Sequence, residues 1–343
     1  MPHRTFLVFI APSILAMVLF ITLPILSVIV QSLFVQHEAV LITVENCTPF
    51  GCEKETRVDH AAMQALREER PLGQFAGFAN YLNRNHLAVD EIGAILSNNQ
   101  GFGDTLSRIF NLPFYRALSF TLLYCFVVTP LAMALGFAVA LAVNTLPRLM
   151  KGPVIFFSLL PMIITPLVGS LILSWMFNPS GILGASLQSL TGDPGLSLRA
   201  SPIMTWIVLL VYGIWTNGPF SFVVFYAGLQ TVPQDTMESA RIDGANRWEV
   251  TRFVIIPHLA PLATFVALVQ LMDNFRVFEP IVGFSAEANA TSLSWLVFND
   301  LVGQDAQLFG SAASTSVITI AGVLILLAPV LLRTWRDFNR KAA

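Results

Sequence analysis

Apolar residues run through this chain in long stretches separated by short polar interruptions. About six of those stretches approach the roughly 20 residues a helix needs to cross a bilayer. They are residues 6–34, 117–143, 153–177, 203–229, 259–283 and 312–332. The pattern predicts an all-α fold, a polytopic transmembrane helical bundle. The first run is far longer than a signal-peptide core of roughly 7–15 residues, and no small-x-small cleavage site follows it. It reads as a retained span.

Residues 36–115 break the pattern. Glu45, Glu53, Lys54, Glu55, Arg57, Asp59, Arg67, Glu68, Glu69 and Arg70 fall here among several Asn and Gly. Long connections without structure are uncommon. A helix is expected over 59–70, and Phe75, Phe78, Tyr81 and Leu82 fit an interfacial helix. The expected division is a first span in 1–35, a periplasmic cap in 36–115, a membrane core in 116–335 with a cytoplasmic loop at 231–258, and a tail from 336 to 343.

Composition sharpens this reading. The chain has 343 residues, of which 55% are hydrophobic and only 12% charged. That is about half the charge of an ordinary soluble domain. A net charge of −2 makes nucleic acid an unattractive partner. The basic residues cluster: Arg4, then Arg148 and Lys151, then Arg241, Arg247 and Arg252, then Arg333, Arg336, Arg340 and Lys341. The intervening loops hold only Arg199 over 178–201 and nothing basic over 284–311. By the positive-inside rule both termini are cytoplasmic, consistent with an even number of spans.

The connection between the fourth and fifth runs is the most informative. Thr231 is a candidate N-cap and Pro233 suits the first turn of a short helix. Met237, Ala240 and Ile242 give that helix an apolar side, while Glu238, Arg241 and Asp243 supply polar handles. Gly244 and Ala245 bend it, a second short helix is expected over 246–256, and Pro257 and Pro261 mark the start of the next span. By pattern alone, an ordinary amphipathic connector accounts for this segment as well.

The residues add more. Glu238-Ser239-Ala240-x-x-Asp243-Gly244-Ala245, followed by Phe253, Ile256, Pro257 and Pro261, resembles the EAA motif of ATP-binding-cassette importer permeases, with Ser239 where the motif usually has a second Ala. The resemblance extends from about Phe75 onward. It includes Phe75-x-Gly77-Phe78-x-Asn80-Tyr81, Phe114-x-Arg116-Ala117-Leu118-x-x-Thr121, Leu160-Pro161, Trp175-x-Phe177-Asn178, Phe275–Glu279 and Phe309-Gly310-x-Ala312-Ala313. The chain is similar to the six-span subunits of maltose, glycerol-phosphate and related sugar importers. It departs at Ser285-Ala286-Glu287-Ala288, where the family usually has Gly-Gly-Pro, and in its enlarged first loop. The resemblance implies a type I importer permease fold in the inner membrane, with a coupling helix that docks on an ATPase. Its implied partners are a second, homologous permease (a heterodimer), two ATPases that bind ATP and Mg, and a periplasmic solute-binding protein. No cofactor or catalytic residue is expected in this chain.

Polar groups inside spans need a partner or a purpose. Gln270, Asn274 and Val277 fall on one helical face at i, i+4 and i+7. The resemblance implies that this face lines a translocation path, where amides suit sugar hydroxyls; a structural role for the amides stays open. Asp273 and Arg276, at i and i+3, are within pairing reach. Gly218-Pro219 is expected to interrupt the fourth span and free backbone carbonyls, or to be a packing kink. The resemblance places Asn217, Phe220 and Ser221 among sugar contacts.

Cys125 reads as a core residue, whereas Cys47 and Cys52, close together in a polar segment, form a candidate disulfide if periplasmic. No third ligand completes a metal site there. There is no phosphate loop, His-Glu-x-x-His site or nucleophile elbow, which argues against an ATPase or a membrane hydrolase. A permease for another small solute, or a secondary transporter or channel, are the alternatives; the latter does not explain residues 238–261.

Overall fold

The computed structural model describes residues 3–37, 40–48, 51–97, 101–193, 195, 197, 201–303 and 308–342. The chain begins with α1 (His3–Met17), a π-helical turn (Val18–Thr22) and α2 (Leu23–Gln31). Strands β1 (Phe34–Val35), β2 (Leu41–Thr48) and β3 (Gly51–Val58) follow, then α3 (His60–Glu69), β4 (Gln74–Phe75), α4 (Ala79–Leu82), α5 (Val89–Ser97) and α6 (Phe102–Phe110). The long α7 (Pro113–Thr145) leads to α8 (Arg148–Ile163), α9 (Pro166–Met176), α10 (Ile182–Thr191) and α11 (Pro202–Leu229). Next come α12 (Gln234–Ile242), α13 (Arg247–Val250), a second π-helical turn (Thr251–Ile255), α14 (Ile256–Phe275) and α15 (Glu279–Gly283). The chain closes with α16 (Leu293–Val302) and α17 (Phe309–Ala342).

Among the described residues five helices are long and apolar enough to cross a membrane, and α8 with α9 makes a sixth span if that bent pair is counted together. The expected third span, 153–177, is therefore not straight: α8 and α9 meet at 92°. Ile164 and Thr165 leave the helical region immediately before Pro166, because a residue preceding proline is driven toward extended backbone. The expected fifth span, 259–283, is also corrected. Helix α14 stops at Phe275, and α15 restarts at Glu279.

Both π turns have one cause. The Leu23 N–H bonds the Val18 carbonyl, and the Ile256 N–H bonds that of Thr251, each one residue wider than an α turn. Pro24 and Pro257 follow immediately. A proline has no N–H to continue the α ladder, and the wider turn absorbs the mismatch.

The chain divides into two compact units, 1–115 with 296–320, and 116–295 with 321–343. In the first unit, the segment expected to be a cap with helices over 59–70 and near 75–82 also contains a β-hairpin. Strands β2 and β3 pair in antiparallel register, with Cys47 opposite Cys52. The side chains of those two cysteines lie outside the described residues. Helix α3 forms where expected, capped by the Asp59 carboxylate, which accepts from the Ala61 and Ala62 amides at 3.0 Å. Phe75 is in a strand rather than on an interfacial helix, paired with Phe34.

Buried polar groups organise this unit. The Asn80 amide nitrogen donates to the Ser32 carbonyl, the Gly310 carbonyl and Ser314 Oγ at 3.2, 2.9 and 2.7 Å. A Cβ on Gly310 would meet the Phe34 carbonyl oxygen at 2.0 Å, so only glycine permits this approach. His86 is fully buried, with Nδ1 2.7 Å from Asn83 Oδ1 and Nε2 3.1 Å from both the Ser311 carbonyl and Thr315 Oγ1.

The second unit has two apolar clusters. One joins α7, α11 and α15 through Phe120, Tyr124, Leu209, Tyr212 and Ile281. The other joins α7, α11 and α14 through Val143, Phe222, Phe225, Ile255 and Leu259.

Candidate functional site

The segment after α11 folds into a helix, a bend and a helix. Pro233 is the N-cap of α12 rather than a residue of its first turn, and Thr231 does not cap α12: its hydroxyl donates to the Gly228 carbonyl at the end of α11 at 2.8 Å and meets His258 Nε2 at 3.2 Å. At the other end Gly244 takes φ +87°, in the left-handed region. The Ala245 N–H then bonds the Ala240 carbonyl and the Gly244 N–H that of Arg241, both at 3.0 Å. This is the Schellman arrangement, which satisfies carbonyls left over at a helix end.

The next helix starts in a capping box. Asn246 Oδ1 accepts from the Glu249 amide at 2.9 Å, and the Glu249 carboxylate accepts from the Asn246 amide at 2.7 Å. The Asn246-x-x-Glu249 spacing carries this signal in the sequence. The expected separate second helix runs through the π turn into α14, and residues 247–275 form one span-length element.

Met237, Ala240 and Ala245 pack against the α7–α11–α14 cluster and seat the bend. Glu238, Ser239, Asp243, Gly244 and Pro257 are exposed. So are large apolar groups: Ile242 is 86% exposed, Trp248 67% and Phe253 69%. The segment thus turns charged and apolar side chains outward from a rigidly capped turn.

A cavity of about 490 Å³ occupies the second unit. It is lined by Tyr124 of α7, Pro166 of α9, Tyr212, Thr216 and Asn217 of α11, and Asp273 and Asn274 of α14, with Arg276, Val277, Glu279 and Pro280 at the break before α15. The break places Arg276, Val277 and Glu279 along its wall. Val277 lies off the helix that was expected to carry it, beyond the end of α14 at Phe275. The signal missed in the sequence is Tyr212 and Thr216, at i and i+4 on one face of α11.

The five predicted path residues divide. Asn217 and Asn274 line the cavity. Gln270 and Ser221 are fully buried behind it and bonded to each other at 2.7 Å. Asn274 is anchored by its amide nitrogen to Thr129 Oγ1 at 2.9 Å. Phe220 lies outside the lining and tilts against Phe265 at 6.5 Å between centroids. Pro219 does not interrupt α11, which runs unbroken through it. Asp273 and Arg276 pair as expected, at 2.9 Å, with both side chains more than half exposed. Among the described residues no group of three His, Cys, Asp or Glu is arranged to hold a metal ion.

A set of span-length helices around a polar cavity, with a capped turn outside them, defines a polytopic membrane transport protein. The comparisons agree. Residues 132–336 match the binding-protein-dependent transport system inner membrane component family, and the chain belongs to that family. It is 28% identical to the trehalose/maltose transport system permease protein MalF of Thermococcus litoralis over 62% of this chain and 71% of the relative. It is 27% identical to the sn-glycerol-3-phosphate transport system permease protein UgpA of Rhizobium meliloti, over 78% of this chain and 84% of the relative. A bacterial ABC transporter involved in the import of the acidic polysaccharide alginate shares its fold, at TM-score 0.59 and 20% identity, over 75% of this chain and 91% of that one. A second structure of an alginate transporter, in complex with an alginate pentasaccharide-bound periplasmic protein, matches at TM-score 0.57 and 18% identity, over 73% of this chain and 88% of that one. The protein is the permease subunit of an ATP-binding-cassette importer, a multi-pass inner-membrane component and not an enzyme.

Proposed function

We propose that this subunit forms half of the path for a sugar or sugar derivative and transmits ATPase motion through residues 231–258. The observation that carries the proposal is the capped turn at Gly244. A left-handed glycine between two capped helices, seated on the α7–α11–α14 cluster, makes a stiff lever, and its outward Glu238, Ile242, Asp243 and Trp248 offer charge and apolar surface to a groove. The cargo class follows from relatives named for trehalose, maltose and glycerol phosphate, and from a cavity lined by amides, a hydroxyl and two tyrosines.

In this reading a second, different permease closes the cavity and a periplasmic binding protein delivers solute. Two ATPases, holding ATP and Mg²⁺, engage the two coupling turns. Both termini and the Gly244 turn face the cytoplasm, as the basic clusters favour. Asn217 and Asn274 contact cargo, while Gln270 and Ser221 hold their helices in place.

Gly244→Trp tests the lever. The variant is expected to insert in the membrane at normal levels, to lose solute uptake, and to lose the nucleotide-binding subunit that co-purifies with the parent protein in mild detergent. Normal uptake by Gly244→Trp would sink the assignment.

A further inference from the structure

The relatives' cargoes differ in charge: trehalose and maltose are uncharged, whereas glycerol phosphate and alginate are anions. The cavity wall bears on that difference. Among the described residues its lining contains one basic side chain, Arg276, and two acidic ones, Asp273 and Glu279. Arg276 Nη2 donates to Asp273 Oδ1 at 2.9 Å, so the guanidinium is already engaged by a carboxylate of its own chain. Glu279 then stands on the same wall as an unbalanced negative charge. The other polar lining groups, Tyr124, Tyr212, Thr216, Asn217 and Asn274, are neutral hydrogen-bonding side chains.

An anionic cargo needs a cation free to meet it, and a bidentate arginine is the usual means. Here the Arg276 charge is offset by Asp273 through one nitrogen, which leaves Glu279 in excess, and a cleft with excess charge of one sign repels ions of that sign. Hydroxyl-rich neutral molecules meet no such penalty. We propose that Asp273 and Glu279 make this cavity anion-rejecting, so that the permease passes uncharged carbohydrate and discriminates against phosphorylated or uronic-acid sugars. Asp273 acts by holding Arg276, and Glu279 by its own charge. The inference rests on reading the cavity as the transport path.

The local charge is measurable without knowing the cargo. In the assembled importer, Cys47, Cys52 and Cys125 are replaced by alanine and Thr216→Cys places a thiol on the cavity wall. Its modification by a cationic and an anionic methanethiosulfonate of similar size is timed, and each rate is divided by that for a small thiol in solution. The cationic reagent is expected to be favoured by on the order of tenfold. Glu279→Gln and Asp273→Asn each remove one negative charge and leave Arg276 balanced by the remaining carboxylate, so each is expected to bring the ratio close to one. An anionic reagent that reacts as fast as the cationic one in the Thr216→Cys protein overturns the inference.

Uptake gives the second arm. Labelled trehalose, maltose and sn-glycerol 3-phosphate are offered to proteoliposomes of the importer with its binding protein. Uptake of an uncharged sugar, with at least tenfold less of the phosphate ester, is expected. Preferential uptake of the ester overturns the inference. Uptake of none of the three, with the cationic thiol preference intact, excludes these three cargoes while the charge assignment stands.

Discussion

Gln270 Nε2 donates to the Asn217 carbonyl at 3.0 Å and to Ser221 Oγ at 2.7 Å, fastening α14 to α11 behind the cavity. Its own Oε1 is buried with no partner among the described residues. The amide therefore secures two acceptors at the expense of one desolvated oxygen. Gln270→Ala leaves the Asn217 carbonyl and the Ser221 hydroxyl without that donor and opens a void; a loss of about 2–4 kcal/mol is expected. Gln270→Met fills the space and removes the orphaned oxygen, so it should cost about half as much. Thermal melting of the purified protein in detergent ranks the two. Equal destabilisation by Ala and Met would show that the hydrogen bonds, and not the filled volume, dominate.

How far this arrangement was legible depends on what each residue signals locally. The spans are plain from apolar length, and the Gly244 bend from Gly-Ala following an amphipathic turn, because both signals lie within one element. The break after Phe275 carries one local signal, Pro280 in the first turn of α15, but its course depends on burial of Val277 and Ile281 against α7 and α11. The Gln270–Ser221 and Asn274–Thr129 bonds join residues far apart in the chain, so a pattern confined to one helix shows polar groups but not their partners. Gln270 accordingly looked like a cargo ligand and sits as a fastener. The β2–β3 hairpin was obscured because Glu53, Lys54 and Glu55 are consecutive charged residues, which hide the alternation that marks a strand. Pro166 and Pro257 were visible, yet the sequence could not distinguish a 92° break from a π turn, since packing decides how a helix accommodates proline.

Ser285 occupies a position that favours glycine. Its φ is +47°, and around it the Ala286 N–H bonds the Ile281 carbonyl and the Ser285 N–H that of Val282, a Schellman end to α15 without the usual glycine. This is where the sequence departs from the Gly-Gly-Pro of similar permeases. Ser285→Gly relieves the left-handed strain but gives up some chain stiffness in the unfolded state; a net stabilisation of about 0.5–1 kcal/mol is expected. A rise of the melting midpoint in detergent confirms it, and a fall would mean that the serine side chain is worth more than the strain.

The β2–β3 register makes the Cys47–Cys52 pair testable. Directly opposed residues of antiparallel strands have Cα atoms roughly 4.5–5.5 Å apart. That separation is within the span of a disulfide. If the hairpin is periplasmic, protein purified without reductant and alkylated under denaturing conditions should show one labelled cysteine, Cys125, by mass spectrometry. Labelling of all three would place the hairpin in a reducing compartment or leave the pair unbridged.

His86 and Asp300 give the first unit opposing responses to acid. Burial holds the His86 imidazole below its ordinary value of 6.5, against smaller upward pulls from the Ser311 carbonyl, the Asp300 charge and the Asn80 backbone. Burial likewise raises Asp300 above 3.8, against the Ser311 hydroxyl, which donates to it at 2.6 Å, and the charge of His86. For the histidine, the unfolded chain takes up a proton as pH falls through 6.5 while the folded chain does not, so stability present above 6.5 drains away until the lower, folded value is reached. The aspartate works the other way: the folded chain gains its proton first, so stability is recovered as pH falls from its raised value toward 3.8. Between 6.5 and the folded value of His86, the histidine should therefore impose a falling slope of up to about 1.4 kcal/mol per pH unit. Melting curves from pH 7.5 to 5.5 should show this fall in the parent protein, and His86→Gln should flatten it. A His86→Gln variant with the parent's full slope would move the acid sensitivity to another group.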